Sequence, residues 1–271
     1  MAVDAKSLIT LADLKLNLGI TATTDDAVLE KCIDRASKTV ESYCGRVFTE
    51  QVYRETYDTS GQRRLALNQY PVSVIRFVGV DWNHAISINS TDPTDVMVSV
   101  AVDTDHVHLH RVTSTGAESN QSITFVSRET TAEMASYISG IAGFSATSLL
   151  NLPSNYLRKT AGRSLKYSTC YLSAWSGGLF DYQADLTTGI VYGPQIAGYK
   201  ALFVDYTAGY ATIPYDVQEA TMSIASRMYY GRKRDGGLAS ESLGGYSYST
   251  RSSAEIDAEA KTTLQQYRRI L

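Results

Sequence analysis

The sequence is short of the residues that most narrow a protein's chemistry. Three cysteines in 271 residues are too few and too scattered for a disulfide framework or a structural zinc site. Cys32 and Cys44 share one predicted helix; at ~1.5 Å rise per residue they stand roughly 18 Å apart, beyond the reach of a disulfide. That usage fits a reducing cytosol. No apolar run approaches the ~18 residues that span a bilayer, and no charged-then-apolar leader opens the chain. The expectation is a protein soluble where it is made, with no membrane partner. A large charge of one sign is also missing: the formal net charge is −3, which does not drive tight duplex binding. There is no Gly-x-x-x-x-Gly-Lys-Ser/Thr loop to cradle phosphates and no Gly-x-Ser-x-Gly elbow for a nucleophilic serine. No repeat at solenoid periods and no low-complexity segment interrupts the chain.

What is present is an ordinary apolar content with an uneven charge. From Arg227 to Leu271 eight Lys/Arg face five acids, a net +3, so the first 226 residues carry −6. A basic tail on an acidic body suggests a segment that docks on an acidic partner. Nineteen tyrosines stand against six phenylalanines and two tryptophans. Much of the aromatic surface therefore carries a hydroxyl and tolerates partial exposure, as extensive interfaces require.

Helical signals sit toward the two ends. Thr10 with Asp13 in the Glu place reads as a capping box, opening a short helix that ends at Gly19. A long helix is expected over 25–44, capped by Thr23 and Thr24. Val28, Leu29, Cys32, Ile33, Ala36, Val40 and Tyr43 form its apolar stripe, and Gly45 stops it. Pro214 opens a second long helix to about residue 231, with Val217, Ala220, Thr221, Ile224, Ala225 and Met228 on its buried face. The five glycines between Gly231 and Gly245 mark a flexible arm. Ser252 to Glu255 caps a last helix, with Ile256, Ala260, Leu264, Tyr267 and Leu271 on one side. Between the ends the rhythm is β-like, apart from a helix opened by the Thr130–Glu133 capping box.

The expected fold class is therefore α+β. Long helices from the N- and C-terminal regions pack together and bracket a β-rich domain with a small α+β insert, followed by a C-terminal arm and helix. The expected divisions are 1–50 (N-terminal helical part of the core), 51–81 and 186–210 (β-rich part), 82–185 (inserted domain), 211–231 (C-terminal core helix) and 232–271 (arm and terminal helix).

The sharpest candidate chemistry is His106, His108 and His110, which share one face of a strand about 6.5–7 Å apart. Such a set can hold zinc if another ligand closes the site. The competing reading is a solvated face, because Val107 and Leu109 supply the core-facing side, and no metal is expected. Asp25/Asp26 and Asp103/Asp105 read as a helix start and a strand face, and His84 as a surface histidine. Arg232 to Arg234 complement a helix C-terminus without DNA. No catalytic residue and no cofactor are expected; the protein is not read as an enzyme.

Three segments resemble the phage head–tail connector (adaptor) family. They are Leu8 to Leu18 with Thr24 to Glu30 and the Tyr43-Cys-Gly-Arg46 helix exit; Tyr57-Asp58, Gly61, Arg64 to Leu67 and Tyr70-Pro71-Val72; and Val204 to Tyr210 with Ile213-Pro214 and Ala220 to Tyr230. Together they cover about residues 5–80 and 186–251, and the middle reads as the β-rich insert of a larger member. The resemblance implies a virion protein of the neck that forms a ring, commonly of twelve subunits, under the portal protein. It would meet a stopper, tail tube or nozzle protein on its other side and leave a channel through which DNA passes without specific binding. A stopper or tail-completion protein of the same neck is the alternative, and a metal-dependent enzyme using His106, His108 and His110 a more distant one. The apolar stripe of the last helix has no evident home in the monomer. The expected partner-binding residues are therefore Arg232, Arg234, Tyr246, Tyr248, Arg251, Ile256, Leu264, Tyr267, Arg268 and Arg269, ordered on assembly. A chain cut after Arg234 is expected to stay folded and lose portal binding.

Overall fold

A computed structural model describes residues 6–179, 181–193, 196–232, 240–243, 246–249 and 258–269. Helix α1 (Leu11–Leu18) begins at the Thr10 capping box and ends at Gly19, whose φ of +67° is the left-handed cap that glycine adopts without strain. Helix α2 (Asp26–Cys44) stops in the same way at Gly45. Its N-cap is Asp25, which makes no side-chain capping bond. That carboxylate is turned instead toward Tyr229 and Arg232 at the far end of α4 (Tyr215–Gly231). Helix α3 (Thr131–Ser139) carries the Thr130–Glu133 capping box, and α5 (Ala258–Gln265) closes the described chain.

The described strands are β1 (Gln51–Ser60), β2 (Arg64–Ala66), β3 (Val72–Ser90), β4 (Asp95–Val102), β5 (His106–Thr113), β6 (Glu118–Thr124), β7 (Phe144–Ser148), β8 (Thr160–Ser164), β9 (Cys170–Gly178), β10 (Gln183–Asp185), β11 (Ile190–Tyr192), β12 (Ala197–Ala208), β13 (Ser240–Leu243) and β14 (Tyr246–Ser249). This overturns the expected fold class. Among the described residues strand outweighs helix, 41% against 27%, and the five helices do not frame a β domain. The strands with the weakest sequence signal are polar or exposed on most positions. β6 reads Glu-Ser-Asn-Gln-Ser-Ile-Thr and β8 reads Thr-Ala-Gly-Arg-Ser, so neither offers the apolar alternation by which a half-buried strand is recognised.

Strand β3 organises the molecule. Its 19 residues equal α2 in number. At ~3.3 Å rise against 1.5 Å it reaches roughly twice as far. Its first half pairs antiparallel with β12, and its second half pairs with β9 and β7. The position expected to divide body from insert, 81/82, falls inside this strand. Sheet order is β1-β12-β3-β7 with β9 also on β3, and a second sheet runs β6-β5-β4-β8. The space between the two sheets and α3 is filled by Ile86, Ile88, Val98, Val107, Leu109, Met134, Ile138 and Leu172. A second apolar cluster joins Leu29, Ile33, Val40 and Phe48 to Val217, Ile224 and Leu264. A third lies under β1, β2, β11 and β12.

In that third cluster one carboxylate oxygen of Glu55 accepts from the Tyr57 hydroxyl at 2.5 Å, the Tyr206 hydroxyl at 2.7 Å and the Asn68 side-chain amide at 3.1 Å. Three donors on one oxygen fix β1 to β12 and to the loop before β3. Burial, followed for Tyr57 by its charged and hydrogen-bonded neighbours, pushes both phenols well above the ordinary tyrosine range.

Candidate functional site

The C-terminal helix was expected to lack a partner within the monomer, and the structure corrects that. Leu264 is fully buried and Ala260 nearly so, in the same apolar cluster as α2 and α4. The Tyr43 hydroxyl donates to the Lys261 carbonyl at 3.5 Å, and the Cys44 thiol to the Leu264 carbonyl at 3.8 Å. Beyond the helix, the Tyr267 hydroxyl reaches both carboxylate oxygens of Asp216 at 2.8 Å, and Gln266 donates to the same group at 2.8 Å. Burial, then the Asp216 carboxylate, pushes the Tyr267 phenol up. The Arg269 backbone N–H donates to the Cys44 carbonyl at 2.8 Å and its guanidinium to Asn68 at 2.7 Å. The stripe thus finds its home on the helix pair that flanks it in space. Sequence periodicity shows that a stripe must be buried and does not say against which copy.

Of the expected partner-binding residues, Leu264 and Tyr267 are therefore engaged internally, Arg269 is tied to Asn68, and Arg232 donates to Asp25 at 2.8 Å while stacking over Tyr229. Arg268 is exposed. Tyr246 and Tyr248 lie on β14, paired with Leu243 and Glu241 of β13. Arg234, Arg251 and Ile256 lie outside the described residues, as does the Ser252 to Glu255 cap.

The helix exit Gly45-Arg46 closes this region from the other side. Arg46 is only 3% exposed, with its guanidinium carbon 3.9 Å from the Tyr70 ring centre, 5.2 Å from Phe48 and 5.4 Å from Tyr210. It also donates to the Tyr70 carbonyl. A cation surrounded by ring faces is stabilised by their quadrupoles where water is excluded. Phe48 and Tyr210 also pack on Tyr267, so the helix exit, the turn after β12 and the C-terminal segment form one aromatic cluster.

The three histidines of β5 share one face, and Val107 and Leu109 between them are buried. Each imidazole meets its own carboxylate: His106 with Asp105 at 2.8 Å, His108 with Asp103 at 2.6 Å and His110 with Glu118 at 3.1 Å. The group able to converge on one ion among the described residues is Asp103, Asp105 and His106, all at the exposed β4–β5 turn. His110 is spent on a different strand. Asp103 also accepts the backbone N–H groups of Asp105 and His106, a turn-closing role that needs no metal. The His108 hydrogen bond, then the Asp105 backbone N–H, holds its carboxyl well below the usual range. His84 stacks on Tyr171 with ring centres 4.7 Å apart.

The sheet that carries these histidines has two outer strands. Residues 118–122 of β6 and 161–164 of β8 are exposed. The Phe125 N–H donates to the Asp105 carbonyl and the Thr113 N–H to the Ala117 carbonyl. Alternation along the ladder then turns the N–H and C=O groups of Glu118, Asn120, Ser122 and Thr124 away from β5. On β8, the bond from the Leu165 N–H to Val98 and the Val100–Arg163 pairing likewise turn Ser164 and Gly162 outward.

Residues 7–99 match the head completion protein family. That span contains the first two segments on which the likeness to phage connector proteins was read, including the Gly45-Arg46 exit and β1 to β3. No curated protein matches the chain. Among solved structures, the neck of an empty gene transfer agent (GTA) particle with C6 symmetry is 14% identical with a TM-score of 0.38, covering 100% of this chain and 95% of that chain. The virion of a native GTA particle gives 14% and 0.39 over the same shares. The neck of a native GTA particle with C12 symmetry gives 14% and 0.36, over 100% and 94%.

Proposed function

We propose that this chain is a structural component of the neck of a tailed phage or phage-like particle, an adaptor that forms a ring under the portal, joins it to the tail and leaves a channel for DNA. The observation that carries this reading is the family match over residues 7–99, which falls on the helical exit, β1 and β3. The role is mechanical. Three imidazoles separately paired with three carboxylates, and thiols that are all buried, make a scaffold in which polar groups close turns and strand faces.

In this reading the segment 233–257, with Arg234, Tyr246, Tyr248, Arg251 and Ile256, meets the portal or the next tail component, and the exposed Arg268 meets the same partner. Leu264 and Tyr267 anchor that segment to the subunit. A stopper or tail-completion role in the same neck is the nearest variant, and the family's description, head completion, is compatible with either. The test is negative-stain imaging of the purified protein alone and mixed with portal rings. Closed rings, or a collar on one end of the portal, are expected; portal rings left bare in the presence of excess protein would overturn the reading.

A further inference from the structure

We infer that neighbouring copies of this chain join through the β6-β5-β4-β8 sheet, the free edge of β6 in one copy pairing with the free edge of β8 in the next. The inference rests on the ring reading above and supplies one of its subunit contacts.

The first support is topological. β6 and β8 are the two outer strands of one sheet in which every adjacent pair is antiparallel. They therefore run in opposite directions. Placed edge to edge in successive copies they continue the antiparallel order, with a different strand from each copy at the joint. Such a contact is heterologous, and a heterologous contact closes into a ring when its rotation allows.

The second support is that the β6 edge lacks the usual protection. Isolated proteins blunt exposed edges with Lys, Pro, bulges or a covering element. β6 contains no Lys, Arg or Pro, keeps an unbroken seven-residue register with β5, and is exposed from Glu118 to Ser122. β8 also lacks Lys and Pro; a Cβ added at Gly162 would meet nothing within 4 Å, so another backbone can approach there. Its register break opposite β4 shortens the usable edge to the stretch around Gly162 and Ser164.

The third support is charge. The outward groups align when Asn120 faces Ser164 and Ser122 faces Gly162. That register sets Glu118 opposite Lys166 at one end of the joint and brings Asp105, beside the end of β6, toward Lys159 at the other. Glu118 is the one charged side chain of β6, whereas β8 contains Arg163 and is flanked by Lys159 and Lys166; this favours the joint between copies and disfavours pairing of the β8 edge with itself.

The test uses the double variant Asn120→Cys with Ser164→Cys in the full chain, both positions being exposed while the native Cys32, Cys44 and Cys170 are buried. Rings or portal collars are first imaged, then oxidised and run on a non-reducing gel. The expected result is a ladder above the dimer that ends at the ring size in the double variant, with nothing beyond a dimer in either single variant. Rings that form but give no ladder would overturn the edge contact and leave the adaptor reading standing. Failure to form rings or collars overturns the adaptor reading, and the contact with it. In parallel, Glu118→Lys is expected to reduce ring formation and Lys166→Glu in the same chain to restore it. Equal ring formation by all these variants would also count against the contact.

Discussion

The Cys44 thiol donates to the Leu264 carbonyl at 3.8 Å, joining the last turn of α2 to α5 across 220 residues of chain. This contact makes the C-terminal helix a member of the subunit's own core. A chain cut after Arg234 would lose Leu264 and Ala260 from the apolar cluster they share with Ile33, Val40 and Ile224. Leu264→Ala should destabilise the subunit by about 2–5 kcal/mol, the range for a buried leucine reduced to alanine. Urea denaturation followed by circular dichroism measures it. An unchanged midpoint would mean that α5 leaves the core in solution.

The same geometry makes Cys44 a reporter. Burial raises its pKa to about 11, and Cys32 and Cys170 are raised by the same cause, so little thiolate forms near pH 8. The native protein should react with a thiol reagent only on unfolding. Leu264→Ala should speed modification of Cys44 while Cys170, in the apolar cluster between the two sheets and α3, keeps its native rate. Mass mapping of the labelled peptides distinguishes them.

Gly209 sits at φ +118° where the chain leaves β12, and its N–H donates to the Pro71 carbonyl at 2.9 Å. A Cβ there would lie 2.5 Å from the Thr49 carbonyl oxygen and 2.7 Å from the Glu50 Cα. Both the angle and the clash oppose any side chain. Gly209→Ala should cost about 2–4 kcal/mol, visible as a lowered denaturation midpoint.

The carboxyl of Asp103 is held below its ordinary range by His108 and the turn N–H groups. A depressed folded value means that its contribution is complete above the unfolded carboxyl pKa of ~3.9 and is lost as pH falls through the folded one. Asp103→Asn should therefore lose stability near pH 6 and approach the parent as pH drops toward 2. Denaturation midpoints across that interval give the comparison. A constant difference at every pH would assign the effect to the turn geometry alone.

Most helix ends were legible because residues within a single turn decide them; the long helix expected to be capped by Thr23 and Thr24 instead has Asp25 at its N-cap. Thr10 with Asp13, Thr130 with Glu133, and Gly19 and Gly45 act where they were read. The burial of Val107 and Leu109 followed from alternation. Most of β6, β8 and the far half of β3 carry little sequence signal for a physical reason: they are recognised by their partners, and partners are non-local. Trp82 to His84 are exposed and carry no apolar alternation, yet β9 holds them in the ladder through Trp82–Trp175 and His84–Ser173. The home of the last helix was missed on the same ground, since Leu264 states only that it needs cover. Arg46 is recognisable in the sequence as part of a helix exit, but its aromatic surround of Phe48, Tyr70 and Tyr210 forms only when three separate segments meet.

Everything proposed for this chain depends on its closing into a ring in the neck of a particle. Imaging the purified subunit with portal rings, with symmetry read from averaged end views, tests it most directly. A closed collar of this protein on one end of the portal is expected. Averages in which the portal end stays bare, with the subunit in excess, would contradict it.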